Sequence, residues 1–577
     1  MGKGGYSCWD GSHYNYIVMK YSMNYFFLIG IILFQIGQSS CKKKEVTEAP
    51  VNKFFQLERV EVDGLLMSSA LTREVSRQPK ITLIFSTPID KSKVASSIIL
   101  GENTLNRSDL SFSYLKNDSV VIVSPAQPLK GLTKYQFSVG TSLTAANGAA
   151  LSSFFDFNFH TSIDSTDKFR ILSEDKLLDT IQRKTFSYFW EFGHPVSGLA
   201  RERNNSEDLV TSGGSGFGIM TIPVAIERGF INRQEGLERL KKIVGFLKNT
   251  AQTFHGAFPH WLNGRTGITI PFSAKDNGAD LVETSYLIAG LLTVREYFNG
   301  LGADEVALRN DITTIWEAVE WSWFRKNGEN VLYWHWSPNF NWDMNMKIQG
   351  WNECLITYIL AASSPTFPIP KVVYEQGFAR NGAQVTNQNH FGFQLPLGPS
   401  LGGPLFFSHY SFLGVNPIGL KDAYANYEQQ VINHSKINHA YCVENPKKFA
   451  GYSNECWGLT ASDIPNNGYA ANAPGNDIGV ITPTAAISSL PFTPIESMNA
   501  IKFFYYKLGD KLWGPYGFYD AFSLQDLWFA SSTLAIDQGP IVIMIENHRT
   551  QLIWNLFTKS VEIKAGMRAL GFSAPYL

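Results

Sequence analysis

The sequence predicts a mainly α protein that opens with a small all-β domain, and three observations carry that prediction. From about residue 54 to residue 161 apolar and polar residues alternate with period two, as on strands buried along one face. From residue 168 onward apolar residues recur at the three-and-four spacing of helices. Between the two regions runs Ser162-Ile163-Asp164-Ser165-Thr166-Asp167, a polar linker.

The elements follow in chain order. Phe26-Phe27-Leu28-Ile29-Gly30-Ile31-Ile32-Leu33-Phe34 is an apolar run too short to span a bilayer, preceded by Lys20 and followed by Ser39-Ser40-Cys41. A basic start, a short apolar core and small residues at a cleavage point make residues 1–41 a secretory signal. The cysteine behind the small residues resembles a bacterial lipoprotein signal, a loose one, with Gln38 where an aliphatic residue is usual. The expectation is an exported protein in the periplasm or at the outer membrane, held to the membrane by a lipid on Cys41. Residues 42–53 then form a polar tether.

Residues 54–162 read as a β-sandwich. Leu57-Glu58-Arg59-Val60-Glu61-Val62, Ile81-Thr82-Leu83-Ile84-Phe85, Val120-Val121-Ile122-Val123 and Tyr135-Gln136-Phe137-Ser138-Val139 are its strands. Asp63-Gly64, Lys116-Asn117-Asp118 and Asn147-Gly148 are the turns. The segment resembles bacterial Ig-like domains. It carries no carboxylate cluster, which suits a spacer or docking module.

Residues 168–577 read as helices separated by Gly-, Pro- and Asn-rich loops. Asn232-Arg233-Gln234-Glu235 resembles a capping box, and Leu237, Leu240, Ile243, Val244 and Leu247 follow at helical spacing. Similar runs occur near 173–193, 217–229, 280–298, 304–324, 350–362, 418–436, 494–508 and 539–557. About a dozen helices without βαβ alternation suit a closed toroid of paired helices or an irregular bundle. Gly213-Gly214-Ser215-Gly216-Phe217-Gly218 has the look of a phosphate-cradling loop, but it follows no strand and lacks the P-loop lysine. A tight turn lining a cleft is the better reading.

Composition narrows the function. Lys and Arg number 49 against 50 Asp and Glu, with no basic patch of the density that nucleic acid demands. Aromatics make up 14% of the chain, which suits a large core or a cleft whose rings stack on sugars. Cys8, Cys41, Cys354, Cys442 and Cys456 form no CxxC pair and no Cys/His metal spacing, so no metal or other cofactor is implied. Cys442 and Cys456 are candidates for pairing in an oxidising compartment.

The chemistry concentrates in carboxylates. Asp276, Asp280 and Glu283 lie within Asp276-Asn277-Gly278-Ala279-Asp280-Leu281-Val282-Glu283-Thr284, at the head of an apolar helical run. Glu353 follows in Gln349-Gly350-Trp351-Asn352-Glu353-Cys354-Leu355, an apolar and aromatic setting that should raise its pKa. One acid kept protonated and one kept ionised is what cleavage of a glycosidic bond needs. Ordinary structural roles compete: Asp280 and Glu283 have the spacing of a helix-capping pair, Asp276 that of a turn former, and the competing reading of Glu353 is a glutamate satisfied by one Arg or by backbone amides.

About residues 170–575 resemble the bacterial glucoamylase-like family, and within it the β-1,2-glucanases of glycoside hydrolase family 144. The resemblance is carried by Thr185-Phe186-Ser187-Tyr188-Phe189-Trp190-Glu191, Gly256-Ala257-Phe258-Pro259-His260-Trp261, the Asp276–Thr284 segment, Gly350-Trp351-Asn352-Glu353, Gly402-Gly403-Pro404-Leu405-Phe406, Glu455-Cys456-Trp457-Gly458-Leu459, Asp537-Gln538-Gly539-Pro540 and Glu546-Asn547-His548-Arg549-Thr550. It implies an (α/α)6 toroid that hydrolyses glucan with inversion, and it places the family's acidic candidates on Asp276, Asp280, Glu283 and Glu353. Glu353 is expected to donate the proton and an acid of the Asp276–Glu283 cluster to activate water. Trp261, His335, Trp336, Trp351, His409, Tyr410 and Trp457 are expected to bind sugar, with Asp537 and Glu546 as structural partners of Arg549. A monomer acting on β-1,2-glucan, from within or by releasing sophorose from an end, is the leading expectation. A hydrolase of another glucan and a non-catalytic glycan-binding lipoprotein are the alternatives.

Overall fold

The computed structural model describes residues 54–67, 71–103 and 105–577; the expected signal, Cys41 and the tether over 42–53 lie outside the described residues. Along Ile81–Phe85 positions 81, 83 and 85 are buried and their neighbours are not, the pattern of a strand with one face on a core. One sheet runs in the order Leu65–Leu66, Leu57–Val62, Ile81–Phe85, Val120–Pro125, Leu110–Leu115. Val60 pairs with Leu83, which on its other side pairs with Val121. The second sheet runs Thr72–Val75, Phe155–Thr161, Lys134–Val139, Ile98–Gly101. Leu83, Val121, Val123, Phe137 and Phe159 fill the space between them. Asp63 and Gly64 both take positive φ, at 50° and 83°, as the two central residues of a tight hairpin must.

The sandwich docks on the helical region. Arg73 Nε donates to the Gln525 carbonyl at 3.1 Å and the Gly451 N–H donates to Glu74 Oε1 at 3.1 Å. The linker is held from both sides: Asp164 accepts from Arg77 Nη1, and the Lys168 N–H donates to the Tyr506 carbonyl.

The helical region is an (α/α)6 toroid, and its two rings differ in pattern. Outer helices such as Arg233–Asn249 are amphipathic: Leu237, Leu240, Ile243, Val244 and Leu247 are buried, and the predicted capping box at Asn232 and Glu235 forms with both of its bonds. Inner helices Ser212–Glu227, Leu281–Tyr297, Leu355–Ser363, Pro483–Ser488 and Ala535–Thr550 are buried along nearly their whole length. Helix Ser212–Glu227 packs against both Leu281–Tyr297 and Ala535–Thr550, so the first and last inner helices meet and close the ring. At that seam Arg228 grips Glu546 through two bonds of 2.7 and 2.8 Å, and Gln182 and Thr550 also donate to the same carboxylate.

Several expected boundaries move for identifiable reasons. The glycine run at 213–218 is not a turn; it forms the first turns of helix Ser212–Glu227. A Cβ on Gly216 would lie 2.2 Å from the Tyr286 carbonyl oxygen, so glycine here buys contact between helix backbones. The run at 418–436 starts late, as Tyr427–Glu444, because Asp422 captures the Tyr424 and Ala425 N–H groups in a turn and Asn426 caps the helix. The run at 539–557 breaks at Gln551, φ 59°, between Ala535–Thr550 and Leu552–Phe557. Short ladders add to the helices, among them Ala279–Asp280 against His335–Trp336.

Candidate active site

Helix Leu281–Tyr297 begins where Asp280 Oδ1 accepts from the N–H groups of Val282 (3.0 Å) and Glu283 (2.9 Å), so Asp280 is its N-cap. The capping pair stops there. Asp280's own N–H donates to the Phe258 carbonyl, which leaves Glu283 free to turn toward a neighbouring helix. Glu283 Oε2 accepts from the Gly213 N–H at 2.7 Å and from Thr211 Oγ1 at 3.3 Å. The carboxylate thus sits on the positive end of helix Ser212–Glu227, in the position a phosphate would take in a phosphate-binding loop. A Cβ on Gly213 would lie 2.5 Å from that oxygen.

Two imidazoles join the acids. His260 Nδ1 is 3.3 Å from Asp280 Oδ2 and 3.8 Å from Asp276 Oδ2, and its Nε2 is 3.9 Å from Glu283 Oε1. His335 Nε2 is 3.5 Å from Oδ2 of both Asp276 and Asp280. The ladder that pairs His335 with Asp280 pairs Trp336 with Ala279, and strand alternation turns Trp336 the other way, against Phe254, His255 and Trp323.

Burial sets the protonation. It raises Asp276 to about 6, with the Asp280 charge adding and the two imidazoles opposing. It works against the Asp280 carboxylate too, yet His260 and His335 hold that group below the ordinary range. Glu283 is raised, again by burial first. For His260 burial would lower the value, but Glu283, Asp280 and Asp276 together lift it to about 9. Glu353, just before helix Leu355–Ser363, is raised by burial to about 7, and the charges of Glu283 and Asp280 push the same way. Its own backbone N–H is the one group favouring its ionised form. Among the described residues no lysine or arginine pairs with any of these four acids.

A second acidic group, absent from the expected site, lies near the first. The Asp463 N–H donates to Asp520 Oδ2 at 2.7 Å, and Arg203 and Ser532 bind the Asp463 carboxylate. Both carboxyl oxygens of Asp537 and Oδ1 of Asp520 are buried without a hydrogen-bond partner. Burial, then the charge of Asp463, pushes Asp520 up to about 7, and burial with the Asp520 charge drives Asp537 well above the carboxylate range. The two groups meet at Tyr410: its phenol is raised by burial and by Asp537, Tyr469, Glu353 and Glu283 around it.

The expected sugar-binding residues divide. Tyr410 and half-buried Trp261 adjoin the acids, Trp261 lying edge-on to Phe272, which stacks on His260. His335 sits among the acids, and Trp336 faces away from them. Trp457 is core: it is fully buried and its indole N–H donates to the Glu496 carbonyl. His409 is buried against Ser489 and kept neutral by burial, down to about 3. Trp351 is buried between Phe412 and Tyr427. Arg549 pairs with Asp175 and Asp179; Glu546 belongs to Arg228 and Asp537 to the second acidic group, so neither is its partner. Cys354, Cys442 and Cys456 are unpaired thiols.

Comparison with known proteins fits this arrangement. Residues 345–561 match the family model described as "Putative glucoamylase", and residues 67–161 match a bacterial Ig-like domain. An endo-β-1,2-glucanase from Chitinophaga pinensis, solved with sophorotriose and glucose, is 53% identical with a TM-score of 0.69, covering 70% of this chain and 100% of that one. A β-1,2-glucanase from Parabacteroides distasonis is 34% identical with a TM-score of 0.68, covering 90% and 73%. The chain belongs to the glucoamylase-like family. A curated member from P. distasonis, "Exo beta-1,2-glucooligosaccharide sophorohydrolase (non-reducing end)", is 44% identical over 420 residues, 69% of this chain; the chain spans 58% of that relative's length.

In this glucoamylase-like toroid, His260 was within reach of sequence reasoning, since it stands in the Gly256–Trp261 segment that carries the resemblance. Asp463 and Asp520 had no such signal. Asp463 lies on a short ladder and Asp520 in a bend between two short strands, and they meet only through the fold.

Proposed function

We propose that this protein is an exported glycoside hydrolase that cleaves β-1,2-glucan with inversion, anchored through a lipid on Cys41. The observation that carries the reading is Glu353, an acid raised to about 7 with no basic partner beside an ionised carboxylate group. Glu353 donates its proton to the leaving glycosidic oxygen. Glu283 is the base: one of its oxygens is fixed by Gly213 and Thr211, the other is free of such bonds, and of the three clustered acids it is the least buried. It takes a proton from the water that attacks the anomeric carbon from the opposite face, a geometry that needs the two carboxyls roughly 6.5–9.5 Å apart. Asp276 and Asp280, more deeply buried, position the imidazoles and the helix start. Trp261 and Tyr410 hold the sugar.

A second assignment of the base has an observation of its own. The buried carboxyls of Asp537 and Asp520 face each other, with Asp537 beside Tyr410, and like-charged carboxyls this close share protons, leaving one ionised. The names of the relatives support the β-1,2 linkage, one of them as an internal cutter and another as an enzyme releasing sophorose.

The test is Glu353→Gln. Turnover of β-1,2-glucan should fall by about 10²–10⁴-fold while oligosaccharide affinity persists. Unchanged turnover would remove Glu353 from the mechanism. A wild-type protein that binds glucans and cuts none would be a glycan-binding protein.

A further inference from the structure

We propose that the Ig-like sandwich is a positioning device for the second acidic group: Arg73, with Glu74 beside it, holds the hairpin that carries Asp520. The connection runs along one short ladder. Arg73 Nε donates to the carbonyl of Gln525, at the tip of the hairpin formed by Phe522–Ser523 and Trp528–Phe529. Ser523 pairs with Trp528 and Phe522 with Phe529. Further down, the Ala530 N–H donates to the Ala521 carbonyl and the Asp520 N–H to the Ser532 carbonyl. At the root Ser532 Oγ donates to Asp463 Oδ2 at 2.6 Å, and the Asp463 N–H donates to Asp520 Oδ2 at 2.7 Å. Tip and root are at most about 17 Å apart at the rise of an extended strand, so the sandwich reaches the acids without touching them.

The sandwich side is shaped for this contact. Thr72–Val75 is the edge strand of its sheet, and its register against Phe155–Thr161 breaks between Thr72 and Val75. Arg73 and Glu74 stand at the break, and Glu74 takes φ 56°. A bulge re-aims side chains, and a non-glycine residue at positive φ persists where surrounding contacts over-determine it. Glu74 Oε1 accepts from the Gly451 N–H. Gly451 itself lies on the hairpin: a Cβ there would come within 2.3 Å of Leu524 Cδ1. The Ala450 N–H donates to Gln525 Oε1 at 3.0 Å, so the backbone of Gln525 is held by the sandwich and its side chain by the toroid. Leu132 of the sandwich and Ile163 of the linker add apolar contact with the toroid's core.

A passive spacer needs none of these contacts. Hairpin tips are among the parts of a fold that open most readily. The toroid pins the hairpin nearer its root, where Ile481 and Phe522 exchange both backbone bonds just before inner helix Pro483–Ser488. The sandwich pins the other end. A hairpin fixed at both points cannot swing, and Asp520 stays against Asp463 and Asp537. The inference rests on the proposed hydrolysis and on the part of Asp520 and Asp537 in it, and the test separates the two.

The test compares the full chain with Arg73→Ala, Arg73→Lys and Glu74→Gln. Arg59→Ala, on the sandwich's other sheet and paired with Glu61 at the surface, is the control. Hydrogen–deuterium exchange is followed over residues 460–464 and 518–532, alongside kcat and KM on β-1,2-glucan. Arg73→Ala should speed exchange in both segments about fivefold, the weight of one net hydrogen bond. It should lower kcat about tenfold or more with KM unchanged, Arg73→Lys should recover most of the loss, and Arg59→Ala should match wild type. Should Arg73→Ala misfold, Glu74→Gln reads the same hairpin through Gly451. Unchanged exchange overturns the proposal, and so does an unchanged kcat in a variant whose hairpin has loosened. A wild type that cuts no glucan sinks the hydrolase reading instead; faster exchange would still show that Arg73 positions Asp520, and unchanged exchange would overturn it.

Discussion

Glu283 Oε2 lies 2.7 Å from the backbone nitrogen of Gly213, so an acid on one inner helix is held by the amino end of the next. The two residues are 70 apart in sequence, and the contact joins the Gly-rich start of one helix to the acid cluster at the head of the other. It explains why glycine stands at 213: any larger side chain would occupy the carboxylate's place.

Gly213→Ala should therefore act on catalysis before it acts on folding. Alanine suits a helix better than glycine, yet its Cβ must push the Glu283 carboxylate aside. A displacement of this size at a catalytic group costs about 10²-fold in rate. Circular dichroism should be unchanged while kcat/KM falls; full activity would show that Glu283 need not sit where it does.

Sequence pattern reached far into the fold and less far into the site. The change of period near residue 165, the strands, and the capping box at Asn232 all follow from local chemistry that a sequence displays. The glycine run at 213–218 reads as a turn in sequence because its purpose, contact with the Tyr286 backbone, is a property of the partner helix. Trp457, Trp351 and His409 looked like sugar binders because an aromatic or imidazole side chain reads alike in a cleft and in a core; burial alone separates them. Asp276, Asp280, Glu283 and Glu353 were legible as an acid set, whereas Asp520 and Asp463 were brought together by pairing between distant loops.

The protonation of Glu353 gives a pH signature. With its pKa near 7, the donor form is lost as pH rises through about 7, so the alkaline limb of kcat/KM should fall there. Stability moves the same way. A folded value raised above the unfolded carboxyl's contributes stability that is fully present below about 4.5 and is lost as pH rises through about 7. Glu353→Gln should thus gain thermal stability relative to wild type at pH 8 compared with pH 5. An equal difference at both pH values would show that burial does not raise this acid.

The seam of the ring offers a stability test. Arg228 is the cationic partner of Glu546, which is almost wholly buried where helix Ala535–Thr550 meets its neighbours. Arg228→Ala strands that carboxylate and should cost roughly 3 kcal/mol in denaturant unfolding. A loss below about 1 kcal/mol, the value of a surface pair, would mean that the seam is held by packing alone.

Trp261 and Trp457 should part company on truncation. Trp261→Ala removes a half-buried ring beside the acids and should raise KM with little change in stability. Trp457→Ala empties part of the core and should cost about 3–5 kcal/mol. The reverse pattern, measured by kinetics and thermal melting, would return Trp457 to the cleft.

The central claim is inverting hydrolysis of β-1,2-glucan, and the most direct measurement follows the reaction of linear β-1,2-glucan with the mature chain by anomer-resolved NMR. The account predicts sophorose or a ladder of short oligosaccharides, appearing first as the α-anomer. An intact polymer, or a product that appears first as the β-anomer, would contradict it.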